Sequence, residues 1–190
     1  MKRLLLILIL TISFQSWIKA DDIRDFQIEG MSIGDSLLDF YSKKKINKFY
    51  NYDDLPSDMK FRIADDEKKI GQYDGLQFFY KPKDKKFLIY SIAGHVYCSS
   101  KKKCNKILEQ IKSDMSSFLK DGKFKKGTYK LFDDKSGKSI STGYHLEVNG
   151  GTIEIEHMDW SKNMQWDDNV SVSLNTNEVI DWMNSNYGAN

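Results

Sequence analysis

The strongest pattern in the chain is a strict alternation of apolar and polar residues on either side of one turn. In "TGYHLEVNGGTIEIEH", Tyr144, Leu146, Val148, Ile153 and Ile155 fall on one side, and His145, Glu147, Glu154 and Glu156 on the other. Period two marks a strand with one buried face. Asn149-Gly150 is the turn chemistry that joins two such strands, and a type I′ turn there needs φ > 0 at both positions. The pairing follows: Val148 faces Gly151, Leu146 faces Ile153, His145 faces Glu154 and Tyr144 faces Ile155.

Further strands are predicted at "GLQFFYK" (75–81) and "FLIYSIAGHVYC" (87–98), joined by polar "PKDK", and in "GTYKLF" and "VSVSLN". The period turns helical in "KILEQIKSDMSSFLKDG". There Ile107, Leu108, Ile111, Met115, Phe118 and Leu119 form a stripe, Asn105 is placed as cap and Gly122 as stop. An earlier helix is predicted in "GMSIGDSLLDFYSKKK", with Ser32 as N-cap, Asp35 three residues on, and Ile33, Leu37, Phe40 and Tyr41 on one face. A short second helix follows through Ile46 and Phe49. "NEVIDWMNSNYG" predicts a last helix with Val179, Ile180, Met183 and Tyr187 inward. N-terminal, central and C-terminal amphipathic helices beside an antiparallel sheet or meander make a single α+β domain the expectation, over residues 21–190.

Residues 1–20 are read apart from that domain. Met1-Lys2-Arg3 is basic, Leu4 to Ile12 is apolar, and the stretch ends at the small residue Ala20, the layout of a secretory signal peptide. The apolar run is short for a bilayer span, which takes about twenty residues. No Cys follows it that could carry a lipid. The expected location is therefore outside the cytoplasm, in the periplasm first and the extracellular space second, with no transmembrane segment in the remaining chain.

That reading changes the charge. The whole chain carries 29 Lys+Arg against 27 Asp+Glu. Lys2, Arg3 and Lys19 lie in the leader, so residues 21–190 hold 26 bases against 27 acids. The basic pI of about 8.3 belongs to the precursor and gives no argument for nucleic acid. Outside the leader only Arg24 and Arg62 are arginines, whereas phosphate recognition favours the arginine fork. The Lys, Asn and Ile bias with two prolines resembles drift in an AT-rich bacterial genome, and "SKKKINK" and "SSKKKC" are read as solvated faces.

Two cysteines, Cys98 and Cys104, suit a disulfide in an exported chain; a free or redox-active pair is the other reading. The bond would pin the strand ending near Tyr97 to the helix beginning at Asn105.

The "GMS" opener resembles that of the small accessory lipoproteins of outer-membrane assembly, over about the first quarter of residues 21–190. The resemblance implies two helices leading into a meander; the lipid-anchoring Cys of those proteins is missing. More broadly, the export signal, the "IEGMS" opener and the C-x5-C junction are similar to uncharacterised periplasmic bacterial proteins, from which no activity transfers.

Familiar catalytic motifs fail on spacing. "GKSIS" (137–141) contains G-K-S, but Phe132 stands where a P-loop needs Gly, and Ser141 where a nucleophile elbow needs its last Gly. "DDKSGK" lacks the ligand alternation of a calcium loop. These residues are read as a loop, and no cofactor is implied. His145, Glu147, Glu154 and Glu156 could bind a divalent metal or act as an acid–base pair; the plainer reading is a solvent face with a cross-strand ion pair. His95 reads as structural, and His157 falls on the core side.

The stretch "MDWSKNMQWDD" (158–168) mixes apolar bulk with polar punctuation. Continued alternation puts Met158 and Trp160 on the His145/Glu156 face. Either the loop folds back as a satellite cluster, or Trp160, Trp166, Met158 and Met164 form a patch for an envelope protein, peptide or glycan. The functional expectation is a non-enzymatic binding or envelope-assembly module. The alternative is a small hydrolase or metal-binding protein using His145, Glu154 and Glu156.

Overall fold

Eight antiparallel strands lie side by side in the computed structural model of this chain, which describes residues 22–51, 59–119, 123–131 and 134–187. The leader expected at 1–20, the Gly122 stop and the side chains of Phe118 and Tyr187 lie outside the described residues. The strands are β1 (Tyr50–Asn51), β2 (Arg62–Asp66), β3 (Gly75–Tyr80), β4 (Ser91–Tyr97), β5 (Lys125–Lys130), β6 (Ile140–Val148), β7 (Gly151–Asp159) and β8 (Asn169–Thr176). Their order across the sheet is β1-β2-β3-β4-β8-β7-β6-β5. Two four-stranded meanders thus meet through their last strands. With the helices α1 (Lys43–Ile46), α2 (Lys101–Phe118) and α3 (Asn177–Tyr187) the fold is α+β. No helix among the described residues is long and apolar enough to cross a membrane.

The first sheet face holds the main core. Ile92, Val172, Leu174, Ile153, Ile155 and Phe78 pack there against Leu108, Ile111 and Met115 of α2 and against Ile23, Ile28, Met31 and Leu37 of the N-terminal segment. Fully burying one such side chain stabilises by roughly 1.5–3 kcal/mol, so this layer carries most of the fold. α2 lies over β7 and β8, and Tyr144 Oη donates across the layer to Glu109 Oε1 at 2.6 Å. His157 is buried on this side, with Nδ1 2.9 Å from Asn105 Oδ1, as alternation predicts.

The β6–β7 register matches the sequence reading, including His145 opposite Glu154. Its turn does not: Gly150 has φ +80° but Asn149 is not at positive φ, so this is not type I′. The reason is tertiary. Asn149 bridges Asp22, its carbonyl accepting from Ile23 N at 2.9 Å and its Nδ2 donating to Asp22 Oδ2 at 2.8 Å.

Three helix expectations need correction. Ser32 N donates to Asp35 Oδ2 at 2.8 Å as in a capping box, but no helix follows. Gly34 sits at φ +90°, and the segment pairs with 86–89 instead: Gly34 N to Ile89 O, Ile89 N to Asp35 O, Leu37 N to Phe87 O. Only a 3₁₀ turn at Leu37–Asp39 and the single turn of α1 remain, and Phe40 is exposed. That pairing also removes 87–90 from the strand expected at 87–98. α2 starts at Lys101, not Asn105, because the Ser100 side chain accepts from Lys103 N. Three lysines in that first turn oppose the helix dipole, and the Ser100 cap outweighs them. Cys98 and Cys104 are bonded, with Cα atoms 5.4 Å apart, and tie the end of β4 to that first turn. In α3, Val179 and Trp182 are buried, whereas Ile180 and Met183 are half-buried.

Candidate functional site

The second sheet face is polar in the middle and closed by aromatics at one end. In β8 the alternation that sends Val170, Val172 and Leu174 into the core sends Asn169, Ser171, Ser173 and Asn175 the other way. β4 adds Ser91, Ala93, His95 and Tyr97 beside them, and β7 adds Glu154, Glu156 and Met158. One cross-strand row reads Gly75, His95, Ser171, Glu156, Gly143, Gly127, and the next reads Tyr97, Asn169, Met158, Ser141, Tyr129. α3 covers the far end, where Phe79 packs with Phe61, Val179 and Trp182.

Although no apolar cluster of the described residues covers its centre, this face is shielded. Ser91, Ser141, Asn169, Ser171 and Asn175 are buried, and Glu154, Glu156 and His95 keep only partial solvent contact. Asn175 organises one half. Ser91 Oγ donates to Asn175 Oδ1 at 2.6 Å, and Asn175 Nδ2 donates to Glu154 Oε2 and to Ser173 Oγ, each at 2.9 Å. Burial raises the Glu154 carboxyl above its ordinary value, and Ser173 opposes the rise. Glu156 has no such support, and burial alone pushes it up to about 7. Burial lowers the His95 imidazole, opposed by Asn169 beside it. Among the described residues the buried Asn169 Oδ1 finds no partner at full hydrogen-bond geometry, and neither does the buried Ser141 Oγ. An unsatisfied buried polar group costs roughly 1–3 kcal/mol.

The structure divides the residues singled out from sequence. Glu147 is exposed and paired with Lys125 at 2.9 Å, as a solvated face requires. Glu154 and Glu156 are half-buried, less solvated than the plainer reading expects. On one side β8 lies beside them, and no local pattern encodes the β4–β8 pairing that brings Ser91 and His95 to this face. His145 lies opposite Glu154 and is half-buried. Among the described residues no three His, Cys, Asp or Glu side chains converge closely enough to hold a metal ion.

Met158 lies on the polar face, between Asn169 and Ser141. Trp160 and Trp166 stack edge to face, with centroids 4.6 Å apart. Trp160 N donates to Asp168 Oδ1 at 2.9 Å, while Trp166 is 49% exposed. Met164 is half-buried at the end of a 3₁₀ turn. The connection is therefore a small aromatic cluster with one open indole. It is anchored by Asp134, whose carboxylate accepts from Ser136 N, Ser139 N, Ser139 Oγ and Ser161 Oγ and is held well below the usual carboxylate range by those bonds. Residues 134–139 form this anchor, a loop as expected.

Sequence reasoning missed His95, Ser141, Asn169, Ser171 and Asn175 as members of the site. One signal was available: the outward positions of "NVSVSLN" are all small Ser and Asn, where a solvated strand usually carries longer charged side chains. No protein-family model matches the chain, and no curated protein or solved structure matches it significantly.

Proposed function

We propose that this chain is an exported, non-enzymatic binding module that receives a small polar ligand, or a polar group of a peptide or glycan, on the second sheet face. One observation carries the reading: a shielded face in the middle of the sheet holds two buried, unsatisfied polar atoms, Ser141 Oγ and Asn169 Oδ1, near the carboxyl of Glu156, which has no hydrogen-bond partner among the described residues to support its charge. A ligand that satisfies these groups recovers the free energy that folding leaves unmet. The open indole of Trp166, near one end of this face, would extend the contact area to a larger partner.

A binding screen of oligosaccharides, amines and short peptides tests the reading. Asn169→Ala should weaken the ligand that binds and leave the melting temperature within a few degrees. Unchanged affinity would move the site elsewhere. A second reading, an acid–base hydrolase, is favoured by two adjacent carboxyls in unlike settings, Glu154 hydrogen-bonded and Glu156 near neutrality. Hydrolysis of a screened ligand that Glu156→Gln abolishes without abolishing binding would select it.

A further inference from the structure

We infer that the group bound on this face is an organic cation, an ammonium or guanidinium seated against the carboxyls of Glu154 and Glu156. This deepens the binding reading above and rests on it. The argument begins with charge. Two carboxyls stand two residues apart on one strand, about 7 Å between Cα atoms. Among the described residues, no Lys or Arg of β4, β7 or β8 faces them. The cations nearest in register are committed elsewhere: Lys125 of β5 to Glu147, and Lys60 and Lys81 to Glu178 of α3. The other titratable groups of the described strands on this face are Asp65, in the Glu154 row, Glu147, His95, held toward its neutral form by burial, and His145, Tyr97 and Tyr129.

An anion would meet only like charge here. A neutral polyol could use the hydrogen-bonding atoms but would leave both carboxyls without a counter-charge. A bare metal ion finds no three converging side chains among the described residues. An alkyl ammonium or guanidinium fits each part: its N–H groups reach carboxylate, and its apolar stem meets Met158, two residues along β7 from Glu156. Tyr97, at the end of that row and 55% exposed, offers a ring face to a cation. The source is either a free amine or the Lys and Arg side chains of a peptide, since both present the same chemistry.

Calorimetric titration of the purified protein with spermidine, with a tetra-arginine peptide and with the neutral sugar cellotetraose tests this. Spermidine or the peptide should bind, and which of them does identifies the source. Glu154→Gln and Glu156→Gln should each weaken binding at least tenfold. Glu109→Gln, which removes an equal charge on the opposite sheet face, should change it less than twofold. Near pH 7 the bound cation should ionise Glu156, so the measured enthalpy should depend on the buffer through a released proton. Equal binding by wild type and Glu156→Gln overturns the proposal. Binding of cellotetraose alone overturns the cation while leaving the binding module intact, and binding of none of the three overturns both.

Discussion

A carboxyl that is half protonated at neutral pH makes folding itself pH-dependent. Glu156 moves from an ordinary 4.5 to about 7 in the folded protein. Below pH 4.5 both states hold the proton and nothing is lost. Between 4.5 and 7 the folded chain keeps a proton that the unfolded chain has released, so stability falls as pH rises; above 7 the penalty is complete. Glu154, also raised, acts in the same direction. His95, lowered, acts oppositely and removes stability as pH falls through its ordinary range near 6.5. Glu156→Gln should therefore raise stability at pH 8 by at most about 3 kcal/mol and leave it nearly unchanged at pH 4. Thermal melts from pH 4 to 8 check this: parallel curves for the two proteins would mean that Glu156 titrates normally.

Among the elements, β4 is closely packed where it passes Tyr73. A Cβ on Gly94 would stand 2.4 Å from the Tyr73 ring, whereas one on Gly127 in the edge strand β5 would meet nothing within 4 Å. Gly94→Ala should cost about 1–3 kcal/mol and Gly127→Ala almost nothing, which comparative melting would show. Equal effects would contradict the placement of β4 against Tyr73. Legibility in the sequence follows the same division between local and distant contacts. The β6–β7 register was readable because period two and Asn149-Gly150 both act within one hairpin, and it survived even though Asp22 changed the turn. The helix expected from Ser32 was not, because its competitor is the 86–89 segment, far along the chain. In the site, the common side of His145, Glu154 and Glu156 was readable from alternation. The arrival of His95 in the Glu156 row depends on β4 lying beside β8.

At the scale of the whole molecule, that β4–β8 seam joins the two meanders. α2, β5, β6 and β7 all intervene in the chain between its two strands. Removing β8 takes Val170, Val172 and Leu174 from the core and leaves both β4 and β7 as open edges. A chain ending at Asp168 should lose cooperative thermal unfolding rather than melt a few degrees lower; calorimetry reads the difference, and a sharp transition in the truncated chain would show that the first meander folds alone. A polypeptide made from its N-terminus meets this requirement last. Until residues 169–176 emerge, β4 waits as an unmatched edge and the polar face has no centre. Completion of the sheet is thus timed by the arrival of the tail, and a chain passing N-terminus first through a narrow channel would stay threadable until nearly all of it had crossed.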